Sequence, residues 1–302
     1  LSSYAAFRLY RDCDLVIAIG TRLEMPTMRW GNMMQVATGL DGGRKLIRID
    51  IDPAEMTRLV ADAGIVADSA EAAADLVEAL AGHRGPDNRS AIATARAGAA
   101  EAISVVQPEM DYLGVIRDVL PADGLLVEEL CQAGFASYFG YPVHQPRTYV
   151  STATGFQGTL GFGFQTALGV KVANPERDVV SITGDGGFMF GVQELATAVQ
   201  YGIGLVTVLF NNQAYGNVRR DQETRYGNRL IGADLVNPDF PALAKAFGLD
   251  GVSVSSPDEL RPVLGRVLQT ARATSRPALI EVRVERGSEA SPWPFIHPVK
   301  AY

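Results

Sequence analysis

The chain has 302 residues, a length that suits about two domains of ordinary size. With 47% hydrophobic and 20% charged residues, it has the composition of a globular protein that buries a substantial core. The net charge of −7, without a basic stripe, argues against nucleic-acid binding. No apolar run reaches the roughly 18 residues that a membrane span requires, so we expect neither a nucleic-acid nor a membrane partner.

Two further features bear on compartment and completeness. The two cysteines, Cys13 and Cys131, are too few for a disulfide framework, and we expect both to be small buried residues in a reducing cytoplasm. The sequence begins at Leu1 without an initiator methionine and enters a strand-like run at Asp14. We therefore expect a fragment of a longer protein.

Residues 1–82 alternate between strand-like and helix-like runs. Strands are predicted at 15–19, 45–51 and 64–67, with helices at 54–60 and 69–80. Ser69 is the predicted N-cap of the last helix. Strands separated by helices predict a parallel sheet with right-handed crossovers.

Residues 83–110 have the composition of a linker. Polar turn residues at 83–88 precede an alanine-rich helix predicted at about 90–105, and Pro108 ends the pattern. The linker separates the first segment from a second one at 111–302.

The second segment repeats the alternation on a larger scale. Helices are predicted at 112–120, 192–201, 238–247 and 259–273, and strands at 124–127, 179–183, 205–210, 251–254 and 278–284. A glycine-rich turn starting at 155 leads into a further helix that ends near 172. This order predicts a doubly wound α/β domain, in which ligands bind at the carboxyl ends of the strands.

Two polar residues follow neighbouring strands of this segment. Asp185 comes directly after one predicted strand, and Asn212 follows the next, with one helical crossover between them. If the two strands are adjacent in the sheet, both side chains point into one crevice. Carboxylate and amide oxygens suit Mg²⁺, which prefers octahedral oxygen ligands and shares them with phosphates.

The residues around Asp185 suit a diphosphate. Gly184, Gly186 and Gly187 allow a close approach of the backbone to an anion. A helix predicted to begin near Phe190 would direct its positive amino end toward the same anion.

The Gly184-Asp185-Gly186 motif, followed after 24 residues by Asn211-Asn212, resembles the motif of thiamine-diphosphate-dependent enzymes. The resemblance implies that Asp185, Asn212 and the backbone carbonyl of Ala214 hold Mg²⁺. It also implies a wider cofactor-binding set: Gly184, Asp185, Gly186, Gly187, Asn212, Ala214, Tyr215, Gly216 and Asn217.

A second similarity lies in the segment Gly158 to Gly163. By resemblance, Leu160 is the bulky residue that separates the two cofactor rings, and the Gly158 carbonyl receives the cofactor's 4′-amino group. Acetolactate synthases usually carry methionine where Leu160 stands here. These two residues are the candidate catalytic positions.

Residues 18–23 and 49–53 resemble the Rossmann-like central domain of acetolactate synthase-like proteins. That domain binds FAD in some members and a related ligand or none in others. The residues that the resemblance places at such a site are Asp50, Ile51, Asp68 and Ser69.

The resemblance as a whole implies decarboxylation of a 2-oxo acid followed by carboligation, carried out by a homo-oligomer, a dimer or tetramer. The domain that binds the pyrimidine ring and supplies a glutamate is not among the 302 residues. We therefore expect this fragment alone to be inactive, and a gene product of about 550 residues.

Other interpretations stay open. The segment Val127 to Gln132 differs from the Gln- and His-rich segment of acetolactate synthases, which together with Leu160 keeps open a benzaldehyde lyase-like enzyme or a simple 2-oxo acid decarboxylase. A non-catalytic nucleotide- or FAD-binding module is the alternative of another class. Asn217, Arg219 and Arg220 lie in a predicted loop that either contacts the diphosphate or is solvated, and residues 291–295 are a candidate lid over the site.

Overall fold

The computed structural model describes residues 4–23, 45–152 and 158–287. Their contacts divide the chain between residues 102 and 103 into a smaller, amino-terminal unit and a larger unit. The boundary lies inside the predicted linker, at the end of its alanine-rich helix. The predicted lid at 291–295 lies outside the described residues.

The smaller unit contains a parallel sheet of order β1-β2-β3, as the alternation of strands and helices predicts. Its strands are β1 (Leu15–Ile19), β2 (Lys45–Asp50) and β3 (Ala63–Val66). Its helices are α1 (Tyr4–Asp12), α2 (Glu55–Arg58) and α3 (Ser69–Ala79), and α4 (Arg89–Ile103) follows.

Helix α1 covers one face of this sheet. Phe7 and Tyr10 of α1 pack with Val16 of β1 and Leu46 of β2, while Ile17 of β1 is 44% exposed. Because successive residues of a strand point to opposite faces, β1 alternates between buried and exposed positions.

The predicted N-cap of α3 was wrong by one residue. Asp68 is the N-cap, and its carboxylate accepts a hydrogen bond of 2.7 Å from the Ala70 N–H, while Ser69 is the first helical residue. Aspartate and serine are both favoured caps, so composition alone did not separate them.

The larger unit contains a parallel sheet of six strands in the order β5-β4-β6-β7-β9-β8. These are β4 (Leu125–Glu128), β5 (Tyr149–Ser151), β6 (Val179–Gly184), β7 (Val206–Asn211), β8 (Asp250–Val254) and β9 (Ala278–Arg283). The predicted doubly wound α/β fold is confirmed.

The larger unit's helices are α5 (Glu109–Val119), α6 (Gln132–Gly140), α7 (Gly163–Ala173), α8 (Asp185–Phe188), α9 (Glu194–Gln200), α10 (Gly216–Arg225), α11 (Phe240–Phe247) and α12 (Pro257–Thr274). No helix of the described ranges combines the length and the apolarity needed to cross a bilayer.

Helices cover both faces of the larger sheet. Phe210 of β7 stacks edge-on against Tyr112 of α5, with ring centroids 5.7 Å apart. Its neighbour Leu209 belongs instead to the cluster that contains Phe188 and Phe240. Adjacent residues of one strand are thus buried on opposite sides, and β7 is buried along its whole length with a mostly apolar sequence.

The order of the strands reverses at β4. The next strand along the chain, β5, lies on one side of β4, and β6 lies on the other. In open parallel sheets, ligands bind at such a reversal, outside the carboxyl ends of the strands.

Two predictions about helices in this unit were wrong. No helix begins near Phe190: the turn after β6 is already helical from Asp185, and α9 begins at Glu194. Asn217, Arg219 and Arg220, predicted in a loop, lie instead in α10, where Arg219 pairs with Glu223 one turn later. Its sequence is polar on all sides and gives no periodic apolar signal.

Candidate functional site

A cavity opens in the larger unit at the carboxyl ends of β4, β6 and β7. It brings together Leu160 and every residue of the predicted cofactor-binding set: Gly184, Asp185, Gly186, Gly187, Asn212, Ala214, Tyr215, Gly216 and Asn217. Gly158 is not among the lining residues; it lies beside Leu130, which does line the cavity. Glu109, Cys131 and Gln132 also line it.

Asp185 is the buried acid of this cavity. Its side chain follows the end of β6 with only 2% of the residue exposed. Burial raises the pKa of the carboxyl, and a hydrogen bond of 2.6 Å from the Asn237 amide to its Oδ2 opposes that rise. A buried carboxylate held by neutral donors can neutralise a cation that enters the cavity.

Asn212 and Ala214 form a tight turn after β7. The Asn212 Oδ1 accepts a hydrogen bond of 3.1 Å from the Ala214 N–H, and Gln213 between them has a left-handed φ of 58°. Strands β6 and β7 are paired, with Gly184 opposite Phe210. The two strands are therefore adjacent in the sheet, which was the condition for the side chains of Asp185 and Asn212 to point into one crevice.

Together these groups suit a hard divalent cation. The cavity is lined by a carboxylate at Asp185, an amide oxygen at Asn212 and the residue Ala214, whose carbonyl the sequence predicts as a ligand. Oxygen donors of this kind match the preference of Mg²⁺, which also keeps waters and phosphate oxygens in its shell. The residues present therefore fit the predicted ion.

The glycines of the turn after β6 are required by side chains packed against them. A Cβ at Gly187 would lie 2.6 Å from the Glu129 Oε1, and one at Gly186 would collide with the Tyr215 ring. Any larger residue would displace these neighbours. These glycines, which the sequence predicts to allow a close approach of the backbone to an anion, are thus also required by packing within the protein.

Glu129 is a residue that the sequence interpretation missed. It follows β4, is fully buried, and accepts hydrogen bonds from the Thr183 hydroxyl and the Gly161 N–H. The Gly163 N–H also contributes, and burial raises the pKa of the carboxyl despite these bonds. One side chain thus connects the turn that carries Leu160 to the turn that carries Asp185.

The turn that carries Leu160 depends on glycine. Gly161 has a φ of 89°, in the left-handed region, and a Cβ there would lie 2.5 Å from the Phe190 Cβ. A Cβ at Gly163 would lie 2.5 Å from the Glu129 Cβ. This turn therefore holds Leu160 at the cavity through steric restriction and through Glu129.

Arg219 and Arg220 of α10 do not line the cavity. Arg219 pairs with Asp234, at 3.0 Å, and with Glu223. Arg220 donates a hydrogen bond of 2.9 Å to the Asn217 Oδ1, so it supports a lining residue from behind. Of the three residues predicted to contact a diphosphate here, only Asn217 reaches the cavity.

The four candidate residues of the smaller unit lie at the ends of β2 and β3. The Asp50 carboxylate accepts a hydrogen bond from the Asp52 N–H, at 3.0 Å, and Asp68 caps α3. Ile51 is 71% exposed, and Ser69 begins the helix. The sheet brings Asp50 and Asp68 to neighbouring strand ends, where the carboxylates shape local turns.

Comparison with known proteins assigns both units. Residues 131–282 match the model of the thiamine pyrophosphate enzyme C-terminal TPP-binding domain. This chain belongs to the thiamine pyrophosphate enzyme family. Residues 1–76 match the model of the family's central domain. The larger unit thus contains the domain that binds thiamine diphosphate in this family, and the motif at 184–212 lies within it.

The curated relatives include many acetolactate synthase large subunits. The chain is 31% identical to that of Parasynechococcus marenigrum (99% of this chain, 48% of the relative) and 34% identical to an acetolactate synthase of Mycobacterium avium (97% and 48%). It is 30% identical to the isozyme 3 large subunit of Escherichia coli (95% and 50%). The chain spans about half the length of these relatives.

A solved structure supports the same fold. The thiamine diphosphate-dependent 4-hydroxybenzoylformate decarboxylase of Rhodococcus jostii RHA1 superimposes with a TM-score of 0.68 at 25% identity. The match covers 93% of this chain and 50% of that enzyme.

Proposed function

We propose that the larger unit binds the diphosphate of thiamine diphosphate through Mg²⁺. The juxtaposition of Asp185 and Asn212 at the ends of paired strands carries this proposal. Asp185, Asn212 and the Ala214 carbonyl would hold the ion, and the lining residues from Gly184 to Gly187 and from Tyr215 to Asn217 would surround the diphosphate.

The protein's own contribution is orientation. Leu160 would support the bent form of the cofactor, and the Gly158 carbonyl would hold its amino group. When bound, thiamine diphosphate supplies the carbon nucleophile and the electron sink for decarboxylation of a 2-oxo acid. Glu129 would hold the Leu160 turn beside the end of β6, since it accepts hydrogen bonds from Gly161 in that turn and from Thr183 in β6.

We infer that the whole protein is an acetolactate synthase-like enzyme, which decarboxylates a 2-oxo acid and joins the product to a second carbonyl compound. Its relatives' names support this activity, and so does the family of both domains. A cytoplasmic homo-oligomer, and FAD at Asp50, Ile51, Asp68 and Ser69, belong to the same proposal.

Cofactor binding is tested by calorimetry with the full-length gene product. Thiamine diphosphate should bind in Mg²⁺ and lose at least ~100-fold in affinity in Asp185→Ala, since one carboxylate ligand is removed. Asp75→Ala, on the exposed side of α3, should bind as the wild type does. Unchanged affinity in Asp185→Ala would disprove the metal assignment.

A simple 2-oxo acid decarboxylase is the second candidate. The solved structure similar to this chain is a decarboxylase, and Leu160 and the segment Val127 to Gln132 differ from the acetolactate synthase pattern. Mass spectrometry of the products from pyruvate, thiamine diphosphate and Mg²⁺ separates the two. Acetolactate supports carboligation, whereas acetaldehyde alone supports the second candidate.

A further inference from the structure

Asn237 lies behind the proposed metal site. It precedes Pro238 and helix α11, is half-buried, and does not line the cavity that holds Asp185 and Asn212. Its amide nitrogen donates to the Asp185 Oδ2 at 2.6 Å and to the Asn211 Oδ1 at 2.9 Å. Both hydrogens of the amide therefore have acceptors.

This contact belongs to a continuous chain of polar side chains. The Asn211 Nδ2 donates to the Glu281 Oε1 at 2.7 Å, and the Ser253 hydroxyl donates to the Glu281 Oε2. The chain of bonds thus runs from the end of β6 through β7 and β9 to β8. Asn237 is anchored to Asn211, which the sheet itself holds.

The anchored amide restricts the Asp185 carboxylate. Rotation of the carboxyl about its last bond would break the 2.6 Å hydrogen bond to Asn237. The backbone N–H groups of Gly186 and Gln213 hold the same carboxyl from other directions. Of these donors, Asn237 is the one that comes from a side chain and from a distant segment of the chain, 52 residues away.

We propose that Asn237 is a positioning residue that orients Asp185 for Mg²⁺ and thereby favours this small ion over Ca²⁺. The inference rests on the proposed function of Asp185 as a metal ligand. Groups that hold a metal ligand from outside commonly contribute 10- to 100-fold to metal affinity.

The two ions differ in how strictly they require ligand geometry. Mg²⁺ requires near-octahedral ligands at about 2.1 Å, whereas Ca²⁺ accepts irregular shells of about 6–8 oxygens at longer distances. A carboxylate that rotates freely therefore harms the binding of Mg²⁺ more than that of Ca²⁺. A general loss of protein stability would instead weaken the binding of both ions by the same factor.

The experiment measures thiamine diphosphate binding to the full-length gene product by calorimetry, at a series of Mg²⁺ or Ca²⁺ concentrations. In Asn237→Ala the Mg²⁺ concentration for half-maximal binding should rise at least ~10-fold, and that for Ca²⁺ by a clearly smaller factor. Asn237→Ser keeps a short polar side chain and should show the same order of effects with smaller factors, which covers the case in which the alanine variant does not fold.

Ser253→Ala is the matched control, because it removes a hydrogen bond at the far end of the same chain without touching Asp185. It should leave both half-saturation concentrations as in the wild type. The inference would be overturned if the half-saturation concentrations of both ions rose equally in the Asn237 variants, or if neither rose. It would also be overturned if Ser253→Ala gave the same rise as the Asn237 variants. A wild-type protein that binds the cofactor equally well without a divalent ion would instead refute the proposed function itself.

Discussion

The two units hold a carboxylate in contrasting ways. In the smaller unit, Glu55 of α2 is paired with the guanidinium of Arg48, at 2.8 Å, and with that of Arg58, at 2.9 Å. In the larger unit, Glu129 accepts hydrogen bonds from neutral donors, the Gly161 N–H of one turn and the Thr183 hydroxyl of β6. The bond from Arg48 lowers the pKa of Glu55, whereas burial raises that of Glu129.

Glu55 has a structural role within the smaller unit, whereas Glu129 supports the cofactor cavity of the larger unit. Glu55 neutralises Arg48, which is 1% exposed and also donates to the Thr21 carbonyl at 3.1 Å. That cluster joins β1, β2 and α2 within the smaller unit. Glu129 instead joins the backbone after Leu160 to the side chain of Thr183, two residues before Asp185, so its loss should reach the cofactor cavity.

The largest effect is expected from Glu129→Ala. The Gly161 and Gly163 N–H groups and the Thr183 hydroxyl would lose a buried acceptor, at roughly 1–3 kcal/mol for each group left unsatisfied. We expect a loss of about 3–5 kcal/mol in the unfolding free energy of the larger unit, together with weaker cofactor binding. Chemical denaturation and calorimetry measure the two effects.

Glu129→Gln is the matched variant for this position. Its carbonyl oxygen can accept from the glycine N–H groups while its amide donates to the Thr183 oxygen, so most of the stability should remain. Equal losses in the alanine and glutamine variants would show that the charge, rather than the hydrogen bonds, is what matters at Glu129.

A smaller effect is expected from Arg48→Met in the other unit. The Thr21 and Glu55 carbonyls would lose a buried donor, while Glu55 would keep Arg58, so we expect a loss of about 1–3 kcal/mol. Hydrogen exchange should locate the loss in β1 and β2. Altered affinity for thiamine diphosphate in this variant would contradict the separation of roles.

The two carboxylates should also give opposite dependences on pH. Because the folded-state pKa of Glu129 is raised above 4.5, its contribution to stability is greatest below that pH and is lost as pH rises through the raised value. The folded-state pKa of Glu55 is lowered below 4.5. Its contribution to stability is therefore present above that pH and is lost as the pH falls through the lowered pKa.

Differences from glutamine variants isolate these contributions. The unfolding free energy of the wild type minus that of Glu129→Gln should fall as the pH rises above 4.5. The unfolding free energy of the wild type minus that of Glu55→Gln should instead fall as the pH drops below 4.5. If the two stability differences changed with pH in the same direction, the distinction between Glu129 and Glu55 would be lost.

The smallest effect is expected from the N-cap of α3. Asp68→Ala removes the acceptor for the Ala70 N–H and should cost about 1 kcal/mol in the smaller unit. Asp68→Ser should recover most of it, because serine is also a good cap. A loss of FAD binding in both variants, beyond the change in stability, would show that Asp68 contacts a ligand directly.

The strands and most of the helices were predictable because their signals are local. The runs at 179–183 and 205–210 are mostly apolar and rich in β-branched residues, and they became β6 and β7 within one or two residues. Asp185 and Asn212 were predictable as one site provided that their strands are neighbours, which is usual for consecutive strands joined by one crossover and holds for β6 and β7.

Contacts between distant segments were not predictable in this way. Glu129 bonds to Gly161 and Thr183, which are 32 and 54 residues away, and neither spacing carries a signal in the sequence. Helix α10 was missed because its residues are polar on every side, and its ion pairs, such as Arg219 with Asp234, form only when the chain folds back.

The sequence by itself determined the parallel α/β architecture of this protein and many of the residues that line its cavity, because strand patterns, glycine turns and the Gly-Asp-Gly and Asn-Asn motifs are local. Only the tertiary structure decided what supports those residues. Glu129 and Asn237 reach the site because strand order places the ends of β4, β6 and β7 together, and a buried polar group must find its partners in space rather than along the chain.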